Sequence, residues 1–123
     1  VRIRRGGPDA PLAGLVHLSR TGDRPVGLVV GRDAWQREIL LRATDLPFLG
    51  AHVPIALPAD LVLLKLYAGG LQDAWDIQQL LASDSKLASA VTPQVEARIA
   101  ALPPRCRELW ADLRARRLPG RQI

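Results

Sequence analysis

The sequence has no methionine, a single cysteine and few aromatic residues: three Trp, one Tyr and one Phe among 123. One cysteine, Cys106, excludes an internal disulfide and a cysteine-based zinc site within the chain. With aromatics this scarce, a core must be assembled from Leu, Val, Ile and Ala. No apolar run approaches the roughly 20 residues that span a bilayer, and the N-terminus lacks the hydrophobic region of a signal peptide. A cytoplasmic location is the resulting expectation. The absence of methionine, with an opening Val1-Arg2-Ile3-Arg4 that reads like the middle of a strand, leaves open that natural sequence lies upstream. Chemistry-bearing motifs are missing too. There is no Walker-type phosphate loop, no G-x-G-x-x-G after a strand and no G-x-S-x-G nucleophile elbow. His17 and His52 fall in separate β-prone runs without metal-ligand spacing, so no metal site is assigned from the residues.

What remains is an ordinary globular composition, 48% hydrophobic and 24% charged. At this length we expect one domain over 1–123, strand-rich with one helix over 1–57 and helical over 58–123. The net charge is +5, and arginine supplies 15 of the 17 basic residues. Ala, Gly, Pro and Leu are abundant as well, a bias that GC-rich coding produces without any partner. Net charge alone speaks to solubility and non-specific binding. A nucleic-acid-binding role through the basic stretch Arg105 to Arg117 therefore stays open but is not favoured.

Alternation places a strand at residues 1–5, broken by Gly6-Gly7-Pro8-Asp9. Leu15–Leu18 and Val26–Val30 read as a hairpin around Thr21-Gly22-Asp23, with the second strand inside the sheet because it is apolar on both faces. Asp33 to Arg42 reads as a capped helix with Trp35, Ile39, Leu40 and Arg42 along its stripe. Pro47-Phe48-Leu49 and Val53-Pro54-Ile55 suggest a small edge hairpin across Gly50-Ala51. Pro58 opens a very apolar helix that Gly69-Gly70 stops, and Leu71 to Ala82 follows with Ala74, Trp75, Ile77 and Leu81 on one side. The two helices should pack as an antiparallel hairpin. Thr92-Pro93 predicts the start of another helix, and Cys106, Leu109, Trp110 and Leu113 define a last one, closed by Arg116-Arg117. Strands first and helices after define an α+β chain: a short mixed or antiparallel sheet followed by a helical C-terminal half.

One cluster stands out. Lys65 is the only charge between Leu61 and Ala68, and a cation in such a helix needs water or an anion. Asp73 and Asp76, three apart, share a face of the next helix, and Asp73 lies in its first turn where a carboxylate favours the dipole. Packed as a hairpin, the helices would turn Lys65 toward both acids. Spacing alone fits a structural salt bridge as readily as a site.

The run Pro58-Ala59-Asp60-Leu61-Val62-Leu63-Leu64-Lys65-Leu66-Tyr67-Ala68, then Gln72-Asp73-Ala74-Trp75-Asp76-Ile77, resembles the rear motifs of AbiEii-like nucleotidyltransferases of the abortive-infection toxin type. Arg24 to Val30 followed by Trp35-Gln36-Arg37-Glu38 is similar to the strand and helix ahead of those motifs, and the likeness covers roughly residues 10–85. It implies a partial nucleotidyltransferase fold, Mg²⁺ and an NTP as cofactor and substrate, and an antitoxin as partner. At the matching catalytic positions Lys65 would touch phosphate, and Asp73 and Asp76 would orient it. The departures are as informative. The family's Gly-Ser turn with two metal-holding acids is absent from residues 1–30, and Gly27 stands where a third carboxylate is usual. Gly69-Gly70-Leu71-Gln72 replaces the basic residue often found before the acidic pair. The resemblance thus implies a catalytically incomplete chain. The alternative is a non-catalytic interaction or homodimerisation module.

Overall fold

A computed structural model describes residues 1–115. Arg116-Arg117, expected to close the last helix, lies outside them. The chain is α+β, with two small antiparallel sheets and its helices concentrated toward the C-terminus. It divides into two compact units, Val1–Leu41 and Arg42–Ile123. The division falls at the end of the first helix, so the second hairpin belongs with the helices.

In the first unit β1 (Arg2–Arg5), β2 (Gly14–Leu18) and β3 (Val26–Val30) form an antiparallel meander in the order β1-β2-β3. The placement of Val26–Val30 inside the sheet is thus corrected: β3 is an edge, and its valines and leucine are 42–57% exposed. Short connections decide this, because each successive strand folds back on its predecessor and leaves the second in the middle. Register aligns Ile3, Val16 and Leu28 across the sheet, with Leu18 beside Val26. The β1–β2 loop is drawn in tightly. A Cβ on Gly6 would lie 2.0 Å from the Leu12 carbonyl oxygen, which only glycine avoids. The Arg32 guanidinium holds the same loop, donating to Pro8 O at 2.6 Å.

Helix α1 (Ala34–Arg42) begins where Gln36 reaches back, its Oε1 accepting the N–H groups of Arg32 and Asp33 at 2.6 and 2.9 Å. This supplies the backward half of a capping box. Trp35, Gln36 and Ile39 are buried, whereas Leu40 is 75% exposed and does not join the stripe.

The second unit opens with β4 (Thr44–Phe48) and β5 (Ala51–Ile55). Their two-residue loop, Leu49-Gly50, has φ of 50° and 81°, the left-handed pair that suits the twist of a hairpin. Both strands are edges, so Pro47 and Pro54 are tolerated. Leu49 is strained there and 91% exposed, making no packing contribution to lose. Leu49→Asn is expected to stabilise this unit by about 0.5–1 kcal/mol, part of the penalty a side chain with Cβ meets in the left-handed region. A rightward shift of the urea midpoint at constant slope checks it.

Four helices follow: α2 (Pro58–Ala68), α3 (Leu71–Ser83), α4 (Ser85–Arg98) and α5 (Pro104–Arg114). The second of these, α3, buries Ala74 and Ile77, but Trp75 is 46% exposed and lies off the stripe it was expected to join. The start of α4 is also corrected. The Asp84 carboxylate accepts the N–H of Lys86 at 2.8 Å and caps the helix, leaving Pro93 in its interior rather than at its first position. Proline offers no N–H to the turn before it. Around that gap Thr92 Oγ1 donates to Ala88 O at 2.8 Å and the Gln94 amide to Ala90 O at 3.0 Å. Leu63, Leu66, Ile77, Val95, Cys106 and Trp110 make the centre of the core, with α2 packed against α3, α4 and α5. Among the described residues no helix is long and apolar enough to cross a membrane.

Candidate functional site

The three residues singled out in the sequence meet at the α2–α3 hairpin. Gly69 ends α2 at a φ of 68° and donates its N–H to Lys65 O at 2.9 Å; Gly70 then starts α3. This tight reversal brings Lys65, in the last turn of α2, beside the first turns of α3. Lys65 Nζ donates to Asp76 Oδ2 at 2.8 Å and lies 3.7 Å from Asp73 Oδ1. Each aspartate has a second tie. Asp76 Oδ1 accepts from the Gln72 amide at 2.8 Å, and Asp73 Oδ2 accepts the Gly70 N–H at 3.1 Å, capping α3. The three side chains are 28–35% exposed, so the cluster sits at the surface with an open side.

The charges adjust to one another. The Lys65 hydrogen bond, reinforced by Gln72, holds the Asp76 carboxyl below the usual carboxylate range. The same bond raises Lys65 above the ordinary lysine value, against partial desolvation. Because the carboxylate is depressed, its contribution is present above the ordinary range and is lost as pH falls through the lowered value. Because the ammonium is raised, its share is present below the ordinary lysine value and disappears as pH rises through the raised one. The pair is therefore intact throughout the neutral range. In carboxyl-detected NMR, Asp76 is expected to titrate below a free aspartate and to move upward in Lys65→Met. An Asp76 titration unchanged by that substitution would contradict the pairing.

As they stand, Asp73 and Asp76 do not fit a divalent cation. Both face Lys65 Nζ, a positive charge where a metal would have to lie, and no group of three or more His, Cys, Asp or Glu able to hold a metal forms among the described residues. In the β2–β3 turn Asp23 forms an ion pair with Arg20. Gly27 lies in the edge strand, and an added Cβ there would meet nothing within 4 Å. His17 stands in register between Arg2 and Gly27, and His52 opposite Pro47.

A further acid, Asp60, lies in the first turn of α2, where a carboxylate favours the dipole. In the structure it is fully buried, taking two hydrogen bonds from Arg42, at 3.0 and 2.8 Å, and a longer contact from Arg98 at 3.4 Å. No local signal marks it: α2 is apolar nearly all round, so the phase of Asp60 does not distinguish it as buried. Arginines of α5 are engaged as well. Arg105 stacks over the Tyr67 ring at 5.3 Å and Arg114 pairs with Glu96. Comparison with family models, with curated proteins and with solved structures yields no match for this chain.

Proposed function

We propose that the chain is a nucleotidyltransferase-like domain that binds nucleotide phosphate weakly and is catalytically incomplete, working in the cytoplasm in a toxin–antitoxin or related setting. The convergence of Lys65 on Asp76 and Asp73, at the positions the resemblance assigns, carries this reading. Lys65 supplies a positive charge for phosphate on an open surface. Asp76 fixes the direction of its ammonium, and Asp73 fixes the turn from which α3 departs. The acidic motif and a carboxylate at residue 27 would have to hold the Mg²⁺ of an active relative, which is why no turnover is assigned to this chain.

Calorimetric titration with the Mg²⁺ complexes of ATP, GTP, CTP and UTP tests the reading, using the intact chain and Lys65→Met. At least one nucleotide is expected to bind in the millimolar range, and removing the ammonium should weaken it about tenfold or more, the loss of roughly 1.4 kcal/mol from one charge-assisted contact. Circular dichroism on the variant separates lost binding from lost fold. Binding untouched by the substitution, or none in either protein, would overturn the assignment of Lys65. Transfer of labelled nucleotide by this chain would overturn its incompleteness.

A further inference from the structure

We draw no further inference here: the strongest candidate, the apolar face that Ile3, Val16, Leu18, Val26, Leu28 and Val30 make on the three-stranded sheet beside its uncharged β3 edge, carries nothing because nothing in the structure shows what covers it.

Discussion

Replacing Arg42 by Ala is expected to destabilise the second unit by about 3 kcal/mol, the lower end of what removing one partner from a buried ion pair does. The asymmetry of the cluster sets the size. Asp60 has no exposure, whereas Arg42 and Arg98 are 26% and 30% exposed and can turn partly toward water. Without Arg42 the carboxylate stays in the core with only the 3.4 Å contact from Arg98. Arg98→Ala should cost less, about 1 kcal/mol, because it removes the longer and single contact. Exchanging both charges, Asp60→Leu with Arg42→Met, should recover much of the loss, since apolar packing can replace a buried ion pair. Cys106 offers a readout confined to this unit. The thiol is buried, donates weakly to Leu66 O at 3.5 Å and has its pKa pushed up by burial, so it should react with thiol reagents only when the helices open. Urea titrations followed by Cys106 labelling decide the matter. An Arg42→Ala variant within about 0.5 kcal/mol of the parent, the range of ordinary surface changes, would show that the triad contributes nothing.

The ion pair at Lys65 is legible in the amino-acid sequence, and the one at Asp60 is not. A lone lysine in an apolar helix asks for a partner, and the next helix offers two acids within one turn across a pair of glycines. Lys65, the two glycines and both acids lie within twelve positions. Asp60 draws its partners from Arg42, 18 residues earlier, and Arg98, 38 residues later, and nothing local announces either. Helix and strand identities follow from period and punctuation for the same local reason. The start of α4 is hidden because Thr92-Pro93 imitates a cap so well, while the working cap, Asp84, sits directly after the previous helix. Strand order in the first sheet depends on loop lengths, and hydrophobicity points the wrong way. Val26–Val30 is apolar on both sides and still lies at an edge.

Within α2 the sequence leaves the buried side undefined, because leucine, valine and alanine occur all around the helix. Two leucines two residues apart then make the sharpest test of the fold. Leu66 has no exposure and lies at the centre where α2 meets the other helices, whereas Leu64 is 37% exposed on the stripe it shares with Leu61 and Lys65. Leu66→Ala is expected to destabilise the second unit by about 3–4 kcal/mol, the transfer free energy of the lost atoms plus the cavity they leave. Leu64→Ala should lower stability by less than about 1 kcal/mol, since water already reaches much of that side chain. Both substitutions leave the backbone intact, so the Leu66 carbonyl keeps its contacts with Cys106 and Arg105 and only packing changes. Equal effects in urea denaturation would mean that α2 is rotated about its axis relative to the arrangement described. Lys65 would then no longer lie on the exposed stripe, and its approach to Asp73 and Asp76 would fail with it. The stability contrast between two leucines thus tests the geometry on which the nucleotide-binding proposal stands.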